Sequence, residues 1–514
     1  MHRWIPEVVR VIFEYIYDPI REEEDIEGRV TMAGLARTCR TFKDPALDVL
    51  WAQLDSLDAF VLCSGGSRDR WNQSIWDCPL YDADWRTLAR YAKRVRTLTI
   101  SPYSETWHSS TMRLLNCFPL PGPFLPNLTK LNWLSNNEEY FPFLHCFCGP
   151  NLKTLKLSPV WWDVSKCVAV ASLAPSCPSL EEFLCPDADD FSVHAISEAV
   201  LGWSKLRMLQ VGPMDEQALA HAASLQTLQE LHFSASSDPR SSMLEFCTPH
   251  ALVAISVPTP SFFQAFMQNV HFSIQRLVIH CSLYDDSFPE HFFSHLQACL
   301  VHPGELTRLA LLVNRISDED ASNESIVLNS RMLHPLLSFK GLGHLDLGHS
   351  CTAHIDDTFL KEIALACPHL QGLWLGDQHN WLTVPLLTFD GVTSLLKCCR
   401  QLSCLGIFFD ATFKSDTTYV ASVDAVSPRI TEFLVGTSPI GDPVKVTAVL
   451  SFLFPSVTRI NHSIPSKFPV ELQERREKWE TVNMWLETFV SARKESRQQG
   501  WLEGKAEVKA DTVA

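Results

Sequence analysis

No stretch of this 514-residue chain is an uncharged apolar run of the length a bilayer crossing requires. The opening Met1-His2-Arg3-Trp4-Ile5-Pro6-Glu7 is soon followed by acidic residues and does not read as a secretory signal. The expected setting is therefore a reducing one, cytoplasm or nucleus, with no membrane partner. Positive charge is in deficit: 43 Lys and Arg against 59 Asp and Glu leave a formal charge of -16. A chain that coats phosphate backbones needs the opposite balance, so nucleic acid is not an expected partner.

Signatures of chemistry are missing as well. There is no Gly-rich phosphate loop, no His-Glu-x-x-His pair and no nucleophile elbow. Serine, histidine and aspartate occur throughout, in no local order that picks out a triad. His145, Cys146 and Cys148 sit close together, as do His349, Cys351 and His354, but no second Cys/His pair follows at finger spacing. Asp356-Asp357 stands where a helix should begin and reads as a cap. No metal, no cofactor and no catalytic residue is expected; the chain reads as a binding protein. The 17 cysteines are scattered, often inside apolar stretches. In a reducing compartment they read as small buried hydrophobes rather than disulfides.

What the chain does have is apolar content in a recurring order. Hydrophobic residues make up 46% and charged residues 20%, too apolar for a disordered chain. From about residue 95 an apolar residue is followed by another three on and a third two beyond that. Leu152, Leu155, Leu157; Leu206, Leu209, Val211; Leu252, Ile255, Val257; Leu345 within Leu342–Leu347; and Leu370, Leu373, Leu375 are clear copies. Leu128, Leu131, Trp133 and Ile430, Phe433, Val435 are weaker ones. Middle positions from Leu98 to Ile460 recur about every 28 residues, within the roughly 20–29 of a short strand-plus-helix repeat. The closing two-residue step is strand periodicity. Between strands, Phe359, Leu360, Ile363 and Ala364 share a helical face. Each unit exposes apolar residues that only stacking can bury, so the expected fold is an α/β solenoid: strands in a parallel sheet on one side, helices on the other.

Cys177-Pro178-Ser179-Leu180 and Cys367-Pro368-His369-Leu370 lead into two of these strands. With the repeat they carry, residues 95–465 resemble the leucine-rich repeat proteins of the divergent Cys-Pro-x-Leu kind, which implies a horseshoe. Exposed aromatic residues on its strands, Trp133 and Trp374, are the expected substrate-binding positions.

Residues 4–17 carry Pro6 at a first helical turn, Glu7 at its positive end, and apolar Val8, Val9, Ile12, Phe13, Tyr15 and Ile16. An acidic segment, 22–29, precedes a second helical pattern through Leu35, Cys39 and Phe42, and Pro45 restarts the chain into a third with Leu50 and Trp51. In order and residue type, residues 1–60 resemble an F-box, departing from it in Ile5 for leucine, in the placing of Glu7 and in the acidic insertion. The resemblance implies a small all-helical module that binds a Skp-type adaptor, and through it a cullin–RING ligase. The adaptor-binding residues it implies are Ile5, Pro6, Val8, Val9, Ile12, Phe13, Leu35, Leu50 and Trp51. The whole chain would then be a non-catalytic substrate receptor for an unknown protein substrate; the alternative is a repeat scaffold that joins no ligase. Residues 61–94 read as a connecting loop and helix. Residues 466–499 read as a helix that caps the array, and 500–514 as a disordered tail.

Overall fold

The computed structural model describes residues 6–17, 26–102 except 71, 110–235 except 118, 120, 121, 136 and 138, then 243–246, 252–282, 288–314, 327–378, 383–413, 423–462 and 470–511. The chain divides into two compact units, residues 1–236 and 237–514.

The first unit opens with three helices, α1 (Pro6–Ile16), α2 (Ile26–Thr38) and α3 (Arg40–Leu50). Val9, Phe13, Tyr17, Met32, Ala46 and Val49 form their common core, with Leu35, Ala36, Phe42 and Leu50 against it. Phe13 and Phe42 meet edge to face at 5.4 Å. The break between the second and third helices falls at Cys39, whose backbone is extended (φ -155°), and not at Pro45, which lies inside α3. Pro45 costs one helical hydrogen bond but does not end the helix.

The sheet starts earlier than the leucine pattern suggested. Gln53–Leu54 pairs in parallel with Thr97–Leu98, so the chain enters the sheet directly from α3. Trp51 stacks on Tyr91 at 4.4 Å, and Arg94 reaches back to Asp44 at 2.6 Å and to Asp48. The helical module is thereby built onto the first repeat. Parallel strands then follow at Thr97–Ile100, Lys130–Trp133, Thr154–Leu157, Glu182–Cys185, Met208–Pro213 and Glu230–Ser234. Leu98, Leu131, Leu155, Phe183, Leu209 and Leu231 stand in one register row, all buried. The chain returns between strands through helices such as Val164–Ala171 and Glu216–Ser224. Asp163 and Asp215 cap these two by accepting from the backbone N–H three residues on.

The second unit repeats the arrangement through Leu252–Val257, Arg276–Ser282, Arg308–Asn314, His344–Leu347, Gly372–Leu375, Cys404–Ile407 and Glu432–Leu434. Val253, Leu277, Leu309, Leu345, Leu373, Leu405 and Phe433 make its buried row. Here one sequence copy is corrected. Val253, not Ile255, pairs with Leu277, and Ile255 pairs with Ile279. Almost every residue of Leu252–Val257 is apolar, so its own alternation cannot fix the register; the neighbouring strand does. Leu244–Phe246 and Val270–Phe272 form a small second parallel pair.

After the last strand the helix Val470–Asp511 buries Leu472, Trp479, Val482, Leu486 and Val490. It extends through residues 501–511, part of the stretch expected to be disordered, where Ala, Glu and Lys, all strong helix formers, each occur twice. In both units the fold is an α/β solenoid with a parallel sheet flanked by helices.

Candidate partner-binding surfaces

Alternate strand residues point to opposite faces of a sheet, so the residues between the buried leucines form the face turned away from the helices. In the first unit its rows read Thr97, Lys130, Thr154, Glu182, Met208, Glu230 and Thr99, Asn132, Lys156, Leu184, Gln210, His232. That face is mostly polar, and cross-strand bonds tie parts of it together: Asn132 donates to Thr99 Oγ1 at 3.1 Å, and Thr154 to Glu182 at 2.9 Å.

In the second unit the same face changes character. Ala254, Val278 and Ala310 make a buried apolar cluster among its residues, joined by half-buried Leu252 and Leu312. Beside this cluster Arg276 and Arg308 are register partners on neighbouring strands, which sets two guanidinium stems about 4.8 Å apart at the backbone. Further along, Trp374 is half-buried and stacks against His344, with ring centroids 6.5 Å apart and an angle of 15°. A Cβ added at Gly372 or Gly406 would come within 2.5 or 2.6 Å of the indole. The indole therefore lies flat over two glycines, whose missing side chains make the space for it.

Next to Trp374 two carboxylates converge. A Cβ at Gly348 would stand 2.9 Å from Asp377 Oδ1 and 3.3 Å from Asp346 Oδ1. Asp377 is fully buried and accepts from Gln378 Nε2 at 2.7 Å. Burial above all, with help from the charges of Asp346 and Glu432, pushes its carboxyl up to about 7. Asp346 is likewise raised by burial, opposed by the Gly348 N–H and by His349 and Arg308. Burial lowers His344 and His349, and Arg308 lowers His344 further. No sequence motif marks this group, because four separate strands and their following turns bring it together.

The second surface is on α1. Val8 (48% exposed), Ile12 (43%) and Tyr15 (93%) face solvent with Val11 and Ile16. The residues expected to meet an adaptor thus divide. Val8 and Ile12 lie outside. Val9 and Phe13 are interior, and Leu35 and Leu50 are half-buried against the same core. Trp51 is buried on Tyr91. Val9, Phe13 and Trp51 therefore shape the module instead of presenting a contact, since a helix with a core on one face can offer a partner only the other. Pro6 begins α1, and Ile5 lies outside the described residues.

Trp133 is also corrected. It is wholly buried, with its ring 6.0 Å from that of Phe147 and 6.2 Å from that of Phe141. It fills the last apolar position of its repeat, the inward one, and cannot touch a substrate in this fold. Among the described residues no group of three or more His, Cys, Asp and Glu could hold a metal ion. His145 Nδ1 lies 2.7 Å from the Pro142 carbonyl. Asp356 caps its helix through the Phe359 N–H at 2.9 Å, and Asp357 accepts from the Thr388 N–H and hydroxyl at 2.8 and 2.6 Å. Both acids have structural work. No helix among the described residues is long and apolar enough to cross a membrane.

No family model matches this chain, and no curated protein matches it. Among solved structures it is similar to an internalin from Listeria monocytogenes, 12% identical, with 91% of this chain and 95% of that one covered and a TM-score of 0.32. It is also similar to a structure of the Rad7 and Elc1 complex of yeast, 15% identical over 81% of this chain and 93% of that one, TM-score 0.28. A third is the leucine-rich repeat-containing protein LegL7 from Legionella pneumophila, 14% identical over 75% and 97%, TM-score 0.29.

Proposed function

We propose that this chain is a non-catalytic protein-interaction solenoid whose second-unit sheet face, around Leu252, Val278, Leu312, Arg276, Arg308 and Trp374, receives a protein partner. The observation that carries the reading is the contrast between the two sheet faces. One is mostly polar; on the other, half-buried Leu252 and Leu312 flank a buried apolar cluster beside an arginine pair and a half-buried indole, residue classes that weigh heavily in interface energetics. The test is affinity capture from the organism's own cells with native protein and with the variants Trp374→Ala and Arg308→Glu. Partners held by this face should be lost from both variants and kept by Thr154→Glu, a control on the polar face. Identical partner sets for all four proteins would refute the assignment.

A second reading is favoured by α1. Its outer residues Val8, Val11, Ile12, Tyr15 and Ile16 are apolar and unburied, as a helix awaiting a partner would leave them. Together with the F-box resemblance this supports attachment to a Skp-type adaptor, which would make the chain a ubiquitin-ligase substrate receptor acting by proximity alone. Val8→Asp with Ile12→Asp should abolish co-purification with the adaptor while circular dichroism stays unchanged. Undiminished adaptor binding, or none by the native protein, would leave the scaffold reading alone.

A further inference from the structure

The helix Val164–Ala171 turns a further apolar surface outward, unrelated to either surface above. Val164 (68% exposed) and Val168 (64%) stand one turn apart on its outer side. Trp161, half exposed, precedes Val164 by three residues, and Val160 beside it is exposed too. Phe191, from the turn before the next helix, joins them: its carbonyl lies 3.9 Å from Cys167 Sγ. Five large apolar side chains in one place are more than scattered surface residues require.

Charge around this patch is of one sign. Asp187, Asp189 and Asp190 are all exposed in the turn that carries Phe191. Asp163 and Asp189 both bear on Cys167, within the patch, and their charges add to burial in raising its thiol. Between residues 158 and 201 the sequence holds seven acidic residues and one Lys or Arg, Lys166. Lys166 is buried and engaged, at 3.0 Å from Asp163, 2.9 Å from the Trp161 carbonyl and 5.1 Å above the Trp161 ring. It lends the surface no exposed positive charge, and instead fixes Trp161 in place.

We propose that this surface docks a basic amphipathic helix of a partner protein. The helix would lay its apolar stripe over Trp161, Val164, Val168 and Phe191 and set lysines or arginines against the Asp187–Asp190 turn. A preformed convex helix face with an acidic rim suits an incoming helix, whose side chains interdigitate with the Val164–Val168 line.

The test uses the full chain and a fluorescein-labelled peptide of about 18 residues, five helical turns, built of Leu and Lys in amphipathic order. Fluorescence anisotropy should show saturable binding, weakened at least about ten-fold in the variant carrying Trp161→Ser, Val164→Ser and Val168→Ser. A scrambled Leu/Lys peptide, and one with Glu for Lys, should bind no better to the native protein than to the variant. All three substitutions are at exposed positions, and circular dichroism checks that the variant keeps its fold. Equal affinity for native and variant protein overturns the proposal, as does equal affinity for ordered and scrambled peptides. Sedimentation covers the remaining occupant: a native dimer that the variant dissolves would make this face a self-association surface and would equally overturn it.

Discussion

A carboxylate with no access to water must be held by donors or give up its charge, and Asp377 meets this choice at the crowded ends of four strands. Gly348, Gly406 and Gly436 close around it, so near that a methyl group on any of them would meet its side chain or backbone within about 3 Å. Its pKa rises on folding from 3.8 to about 7, so the folded state holds the proton more tightly than the unfolded one. The stabilisation from the neutral form is complete below about pH 4 and is lost as pH rises through about 7. Asp377→Asn keeps the shape and removes the titration. Relative to native protein, the variant should gain stability between about pH 5 and pH 8, with a ceiling of about 4 kcal/mol, read as a difference in melting temperature. A constant difference across that range would show that Asp377 stays ionised in the fold. The histidines His344 and His349 titrate in both proteins and cancel from the comparison.

The same scale separates neighbours on α1. Phe13→Asp puts a charge into the core of the helical module and should cost roughly 3–5 kcal/mol or more; Ile12→Asp, at an exposed position, should change stability by about 0.5 kcal/mol or less. Thermal melts followed by circular dichroism distinguish them, and a similar loss for both would mean that Ile12 is internal. Parity explains what was legible here. Trp374 lies between Leu373 and Leu375, so its outward direction can be read directly, whereas Trp133 ends its Leu-x-x-Leu-x-Trp copy and points inward. The Asp346–Asp377 pair could not be read at all, because its members are distant in sequence and meet only through register.

At the scale of elements, the repeat spacing pointed to the strands and Asp356 to one helix start; in the structure Asp163, Asp215 and Asp442 cap their helices in the same way as Asp356. Register failed where alternation vanished, at Leu252–Val257. The end of the array shows a different economy. Past Phe433 the sheet ends in a single parallel bridge from Leu434 to Asn461, and beyond that edge the terminal helix stands where a further strand would. Asn483 accepts from the Ile460 N–H at 2.8 Å and donates to its carbonyl at 3.0 Å, the two bonds a neighbouring strand would make. Trp479 Nε1 donates to the Ser438 carbonyl at 2.9 Å, and Arg493 reaches Ser451 Oγ and the Ala448 carbonyl at 2.9 and 3.0 Å. Trp479→Ala should cost roughly 3–5 kcal/mol, and ending the chain before Val470 should cost more and expose an aggregating edge. A truncated protein that melts at the native temperature and stays monomeric would show that this helix has another task than covering the array.

Across the whole molecule, cysteine offers a gauge of how completely the solenoid closes on itself. The sequence has 17 cysteines; the side chains of fifteen are described, all free thiols, and seven of these are buried: Cys148, Cys177, Cys185, Cys281, Cys299, Cys367 and Cys399. They line both units, most of them behind strands or at helix ends, where a thiol serves as a small hydrophobe. Burial pushes Cys281, Cys299 and Cys399 up to about 12 and Cys367 to about 11. Thiolate is the reactive species, so these groups are shielded twice, by access and by protonation. Cys39, Cys78 and Cys117 are exposed and, being open to the reagent, should alkylate promptly with iodoacetamide. The buried seven should react only at the rate at which their part of the array opens, which turns residue-resolved alkylation into a map of local stability along both units. Denaturant should release all of them together if each unit opens as one, or in sequence-contiguous groups if the repeats part singly, as a nearest-neighbour array allows. Uniform prompt alkylation of the native protein would mean that the cores behind these strands are not closed, and a cysteine protected even in denaturant would reveal a disulfide that neither the sequence pattern nor the fold provides for.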